Sequence, residues 1–170
     1  SIGFIPTMGA LHEGHLALVA ESNKTCKNTV VSIYLNPAQF AQGEDLRIYP
    51  KTIEADLEKL TNICVDCIFF PNDSEMYPDG FSTRIQENNL SCLLEGKSRP
   101  EFFSGVTTIV AKLFNIVQPT HAFFGTKDAQ QLLIVKKMVK DMAYPVEIIA
   151  CPIIRQENGL AMSSRNSHLS

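Results

Sequence analysis

The stretch IGFIPTMGALHEGHLALVA, Ile2–Ala20, decides how the chain is built. Ile2–Ile5 is a short apolar run closed by Pro6, which reads as a β-strand. After Gly14, the positions of Leu16, Val19 and Ala20 read as a helix reaching about Thr25. Between them lies PTMGALHEGH, residues 6–15, a loop that leaves a strand and enters a helix. Such a junction suits an anion, because the first N–H groups of a helix lack intrahelical partners and point outward. Gly9 and Gly14 let backbone approach a ligand closely, and His12 and His15, at i and i+3, face the same anion. Two of the chain's four histidines flank a glycine at this junction, which outweighs the reading of two solvated bystanders. A zinc-protease motif is excluded, since H-E-x-x-H needs i, i+4 spacing and this is H-E-G-H.

Outward from this unit, strand and helix patterns alternate. Thr29–Leu35 is β-branched and apolar, as expected of a strand buried on both faces. Asn36-Pro37 ends it, and a polar loop runs to Pro50. Thr52 opens a helix carrying Ile53, Leu57 and Leu60, with acidic residues in its first turns. Val65–Phe70 reads as the next strand. The middle is less regular: Asn72–Gly80 is turn-rich, Thr83–Gln86 suggests a short strand, and Glu95–Pro100 reads as a polar loop. Val106, Ile109, Val110, Leu113, Phe114 and Val117 then mark an amphipathic helix. Thr120–Phe124 is a strand, Gly125–Asp128 a turn, and Ala129–Met142 a helix with Leu132, Val135, Val139 and Met142 on one face. Val146–Ile149 and Ile153–Arg155 close the pattern as strands. This alternation predicts a single α/β domain with a Rossmann-like parallel sheet and helices on both faces. Ligands of such sheets sit beyond the carboxyl ends of the strands.

Composition narrows the function classes. The chain has 170 residues, 45% hydrophobic and 19% charged, with 15 Lys+Arg against 18 Asp+Glu, or a net charge of −3. That balance gives no broad attraction for nucleic acid. No apolar run approaches the roughly 18–20 residues that span a bilayer, so no membrane partner is expected. Five scattered cysteines without a basic, signal-like start favour a reducing, cytoplasmic setting over a disulfide framework. Cys64-Val65-Asp66-Cys67 spells C-x-x-C but has no second pair for zinc and leads into a strand, so buried, inert thiols are expected. The chain opens on Ser1 and stops at Ser170 after a Ser-rich segment, which suggests a piece of a longer protein.

Other strand-end loops add candidates. In FFGTKDAQQ, 123–131, Lys127 can neutralise a polyphosphate and Asp128 can accept from ribose hydroxyls, unless Asp128 only caps the helix and Lys127 is only solvated. Asn36 and Gln39 follow a buried strand, where an uncharged amide suits hydroxyl or carboxylate groups. GLAMSSRN, 159–166, offers hydroxyls and an arginine as a phosphate clamp, although a Ser-rich stretch is more often plain loop. Gly96-Lys97-Ser98 ends like a P-loop, but the motif's leading glycine falls on Ser91. No G-x-G-x-x-G occurs.

Together, PTMGALHEGH, SIYLNPAQF, FFGTKDAQQL and GLAMSSRN resemble the pantothenate synthetase (pantoate–β-alanine ligase) family, with EDLRIYPKT and RPEFFSGVTTIVAKLF between them. The family belongs to the H-x-G-H nucleotidylyl transferase superfamily, so the resemblance implies a Rossmann-like nucleotide domain. It implies ATP-dependent condensation of pantoate with β-alanine through pantoyl adenylate, releasing pyrophosphate and AMP. ATP with Mg²⁺ would be the co-substrate, and no organic prosthetic group is implied. By the same resemblance Met8, Gly9, Ala10, Leu11, His12, Glu13, Gly14 and His15 would line the triphosphate. His12 and His15 would stabilise the departing pyrophosphate, with His15 as proton donor. Gly125, Thr126, Lys127 and Asp128 would contact ATP, with Lys127 at the phosphates and Asp128 at the ribose. Ile154 would offer backbone groups to adenine, and Met162, Ser163, Ser164 and Arg165 would close over the phosphates. Gln39 would hold pantoate and border the β-alanine site, with Gln131 on pantoate's other side. Lys127 and Arg165 join the histidines as catalytic charge. Metal ligands are not legible.

Two departures from the family pattern are mild: Ala129 stands where an aromatic is common, and Thr126 where Glu or Gln is common. The resemblance also implies a homodimer, extra chain before the first strand and a carboxyl-terminal lid starting near Ser170. A piece without that lid would bind its substrates and catalyse weakly. Two rivals remain from the residues: another adenylyl or cytidylyl transferase of the superfamily, and a non-catalytic nucleotide-binding module.

Overall fold

The computed structural model describes residues 1–40, 49 and 52–168, with 167 and 168 described by backbone alone. The polar loop expected up to Pro50, and most of the 44–52 motif, lie outside the described residues. Among the described residues five strands form one parallel sheet. They are β1 (Ile2–Thr7), β2 (Asn28–Ile33), β3 (Cys67–Phe69), β4 (His121–Gly125) and β5 (Glu147–Cys151), in the spatial order β3-β2-β1-β4-β5. The helices are α1 (Glu13–Thr25), α2 (Ile53–Thr61), α3 (Asp73–Met76), α4 (Glu95–Ser98), α5 (Phe102–Val117) and α6 (Ala129–Asp141).

Strand periodicity of two sorts the core into two layers. Phe4, Ala122 and Phe124 point to one face, where they meet Val106, Ile109 and Val110 of α5 and Leu132, Ile134 and Val135 of α6. Ile5, Val31, Ile33 and Phe123 point to the other face, against Leu18 and Val19 of α1 and Leu60 of α2. The sheet is therefore covered on both sides, as the apolar strands predict.

The strand order reverses between β1 and β4, and this is where the sheet opens. β1 pairs with β2 along its whole length, Ile2↔Asn28 through Thr7↔Ile33. Against β4 it pairs only at Gly3↔His121 and Phe4↔Ala122. The carboxyl ends of β1 and β4 thus part, and a crevice forms at the topological switch point.

Several local expectations are corrected. Thr83–Gln86 is not a strand: the Ile85 N–H donates to Thr108 Oγ1 at 3.0 Å, and its carbonyl accepts from Thr107 Oγ1 at 2.6 Å. Helix hydroxyls, not a neighbouring strand, satisfy this extended segment. Ile153–Arg155 is not a strand either; Arg155 makes one isolated antiparallel bridge to Ala161. Glu95–Ser98 and Asp73–Met76 are short helices inside segments read as loop and turn. The second carries an Asn72–Glu75 capping box, a helix-start signal that stands in the sequence itself. The long helix α5 starts at Phe102, four residues before the apolar repeat, with Gly105 packed on the Ala38 carbonyl where a Cβ would clash.

On α2, Leu57 is exposed while Asp56 is buried, and the Thr52 hydroxyl donates to the Asp56 carboxylate at 3.2 Å instead of capping the backbone. Met142 lies exposed just beyond α6. Cys64, Cys67 and Cys92 are exposed free thiols, so burial holds for Cys151 and in part for Cys26.

Candidate active site

A cleft of about 470 Å³ occupies the switch point. Its rim comes from the loops after β1, β2, β4 and β5 and from the 162–165 tail, and α5 supplies an apolar wall of Val106, Ile109, Val110 and Leu113. Of the residues singled out above, Met8, His12, Gly14, His15, Gln39, Gly125, Lys127, Asp128, Gln131, Ile154, Met162, Ser163, Ser164 and Arg165 line this one cleft. Gly9, Ala10, Leu11, Glu13 and Thr126 lie beside it without lining it. Leu11 turns into the core under α1 and α2.

The first loop is built around its histidines. His12 is the N-cap of α1, and its Nδ1 accepts the Gly14 N–H at 3.1 Å. His15 Nδ1 accepts the His12 N–H at 3.3 Å, so two imidazoles close the capping box that Ser and Glu usually make. Each Nδ1 is an acceptor here, which places the ring proton on Nε2. The rings lie 4.1 Å apart, centroid to centroid. Burial pushes the His15 pKa down to about 3, helped by His12, Lys127 and Lys59, and burial also lowers that of His12. Both rings are therefore neutral near pH 7, each with one Nε2–H to donate.

The backbone of the same loop is held from α2. Asp56 accepts the Ala10 and Leu11 N–H groups, each at 2.8 Å, and Lys59 Nζ donates to the Leu11 carbonyl at 2.5 Å. The N–H groups of Ala10 and Leu11, two residues that the resemblance puts along the triphosphate, are thus engaged inside the protein. Gly9 adopts a left-handed φ of +83° at the start of this turn, a conformation that favours glycine. Ser164 Oγ reaches across from the tail to the Ala10 carbonyl at 2.9 Å.

The opposite rim is more open. Lys127 pairs with Asp128 at 3.0 Å, and Asp128 makes no capping bond to α6, so helix capping does not account for it. The Ile154 carbonyl accepts the Met162 N–H at 2.9 Å, which ties the tail to the loop after β5. Gln39 is 7% exposed, with its Oε1 bonded to Asn36 Nδ2 at 2.8 Å and its carbonyl bonded to Arg99 Nη2 at 3.0 Å.

Asp56, Lys59 and Arg99 support the site and carry no signal of it in the sequence. Asp56 and Lys59 lie more than 40 residues from the loop they hold, and nothing in their own helix marks them. Among the described residues no cluster of three metal-ligating side chains occurs, and no helix is long and apolar enough to cross a membrane.

A parallel sheet of this order, with a cleft at its switch point and a histidine-capped helix after its first strand, defines a Rossmann-like α/β domain of the ligand-binding class. The chain belongs to the pantoate-beta-alanine ligase family, whose model matches residues 1–170. It is 56% identical over 169 residues to the pantothenate synthetase of Acetivibrio thermocellus, covering 99% of this chain and 60% of that protein. The crystal structure of pantothenate synthetase from Thermus thermophilus superposes with a TM-score of 0.98 at 52% identity, covering 99% of this chain and 62% of that one. The pantoate-beta-alanine ligase of Francisella tularensis, complexed with beta-gamma ATP and beta-alanine, matches with a TM-score of 0.96 at 43% identity, covering all of this chain and 66% of that one. The chain thus spans about three fifths of the length of the curated relatives it matches.

Proposed function

We propose that this chain is the nucleotide- and pantoate-binding part of an ATP-dependent ligase that joins pantoate to β-alanine. The observation that carries the proposal is the convergence of two neutral Nε2–H donors, Lys127, Arg165 and two amides, Gln39 and Gln131, on one cleft with an apolar wall. Cationic and N–H groups suit a triphosphate, amides suit the acid's oxygens, and the α5 wall suits the branched carbon chain of pantoate. The Francisella relative's complex with beta-gamma ATP and beta-alanine supports this choice of substrates.

In the first step a pantoate carboxylate oxygen attacks the α-phosphorus of Mg-ATP. The bond to the β-phosphate bridging oxygen breaks, giving pantoyl adenylate and pyrophosphate. Such transfers are accelerated chiefly by alignment and charge stabilisation. His12 and His15 donate Nε2–H bonds to the charge growing on pyrophosphate, and Lys127 and Arg165 offset it. A His15 pKa of about 3 favours hydrogen-bond donation over delivery of a proton. In the second step the β-alanine amine attacks the acyl carbon. Its C–O bond to AMP breaks, and the amine proton leaves to solvent. Gln39 and Gln131 hold the pantoyl group through both steps, Gln39 borders the β-alanine site, and Asp128 and the Ile154 backbone hold the nucleoside.

A homodimer, a cytoplasmic location and magnesium bound with ATP complete the proposal. Quenched-flow analysis of the complete natural protein tests it: pantoyl adenylate accumulates without β-alanine and is consumed when β-alanine is added. Pyrophosphate exchange into ATP driven as well by a nicotinate or pantetheine phosphate as by pantoate would move the chain to another transferase of the superfamily.

A further inference from the structure

Asn36 is 1% exposed, and its amide is saturated by four partners. Oδ1 accepts the Tyr77 hydroxyl at 2.7 Å and the Ala38 N–H at 3.3 Å. Nδ2 donates to Gln39 Oε1 at 2.8 Å and to the Gly105 carbonyl at 3.2 Å. A backbone N–H can only donate and a carbonyl can only accept, so the orientation of Asn36 is unambiguous. The orientation of Gln39 follows from it. Its oxygen faces inward to Asn36, and its NH₂ is left for the cleft that Gln39 lines.

Tyr77 stands outside that cleft. It ends α3 and faces a separate cavity of about 420 Å³ between Pro37, Ala38, Phe81, Arg84 and Ser104. Its ring is set edge-on to Phe81 at 5.1 Å and lies under Lys112. Of the two bonds to Asn36 Oδ1, the one from Tyr77 is the shorter by 0.6 Å (2.7 against 3.3 Å).

We propose that Tyr77 is a positioning residue: its short bond to Asn36 Oδ1 holds in place the side chain whose polarity the Ala38 N–H and the Gly105 carbonyl set, and so keeps the N–H donors of Gln39, and not its acceptor oxygen, turned to the acid substrate. The inference rests on the proposed contact between Gln39 and pantoate. A Gln39 whose Asn36 partner is displaced is free to turn its carbonyl to the cleft, repelling a carboxylate or a hydroxyl lone pair. Burial raises the Tyr77 pKa to about 12, so the hydroxyl keeps its proton across the working pH range.

The test is a double-mutant cycle in the complete natural protein. Tyr77→Phe keeps the ring and removes one hydrogen bond. The KM for pantoate is expected to rise about 3- to 10-fold, the range set by one net hydrogen bond, with the KM for ATP unchanged. In the Gln39→Ala background Tyr77→Phe should add nothing to the pantoate KM, because the amide it orients is gone. The same rise in both backgrounds, or equal changes in the ATP and pantoate KM values, would overturn the positioning role and leave Tyr77 as packing. If Tyr77→Phe alone leaves the pantoate KM unchanged while Gln39→Ala raises it, this inference fails and the proposed function stands. If Gln39→Ala itself leaves that KM unchanged, the pantoate contact fails and this inference with it.

Discussion

The two rims of the cleft are made differently. The rim after β1 is braced from α2, where Asp56 and Lys59 hold its backbone, and its histidines are locked into the first turn of α1. The rim made by Lys127, Asp128 and Arg165 is largely exposed, and the Lys127–Asp128 pair links neighbouring residues. The contrast teaches how fixed donors and adaptable charges divide the work. Donors aimed at developing charge help most when they need no reorganisation, which requires bracing. Under the proposed function, charges that admit and release a nucleotide gain from being accessible.

The comparison breaks most readily at Asp56. Asp56→Ala orphans two N–H donors at a loop packed on the core, at about 1–3 kcal/mol each, so unfolding free energy should fall by about 2–6 kcal/mol. Urea denaturation reads this, and an unchanged midpoint would mean that the first rim is not braced from α2.

Removing charge from the open rim should separate activity from stability. Lys127→Ala is expected to slow adenylate formation about 100- to 1,000-fold. Its exposed ion pair is worth only about 0–1 kcal/mol, so thermal unfolding should barely move. His12→Ala should cost similar activity but also about 1 kcal/mol of stability, because it deletes a helix cap. Equal stability losses in both variants would erase the distinction between the rims.

The braced rim should also carry a pH signature. Folded His15 has a pKa of about 3 and unfolded histidine about 6.5, so below pH 6.5 the unfolded chain binds the extra proton. Stability from this site is therefore complete above pH 6.5 and declines as pH falls toward 3, with a limiting slope of about 1.4 kcal/mol per pH unit. Denaturation of wild type and His15→Gln between pH 7 and 5 measures the slope. A His15 ring that titrates near 6.5 by NMR would contradict the burial argument.

The smallest effect is expected at Arg165. Its substitution by Ala should raise the ATP KM about tenfold, the loss of one charge-assisted contact, with stability within about 0.5 kcal/mol. A stability loss larger than that of His12→Ala would place Arg165 in the braced rim.

Much of this was legible in the chain itself. Alternating apolar strands and periodic helices give a parallel sheet, and strand-end loops give the cleft, because both follow from local pattern and chain connectivity. The Asn72–Glu75 capping box is equally legible, with Asn at the N-cap and Glu three residues on. Thr83–Gln86 misled for a different reason: an extended segment has the same composition whether its partner is a strand or the hydroxyls of Thr107 and Thr108. The short strand at Ile153–Arg155 failed likewise, since pairing depends on what lies alongside.

What the sequence by itself determined is the architecture and the inventory: a Rossmann-like sheet, four loops at one edge, and histidines, lysine, arginine and amides upon them. Only the tertiary structure decided how those groups are poised. The Nε2–H form of both histidines is set by contacts inside the first turn of α1, whereas the engagement of the Ala10 and Leu11 N–H groups by Asp56, and the Gly105 and Tyr77 contacts that hold Asn36 behind Gln39, depend on partners distant in the chain. Hydrogen bonds are directional and act over about 3 Å, so their polarity is set by which atoms meet and not by how far apart they lie along the chain.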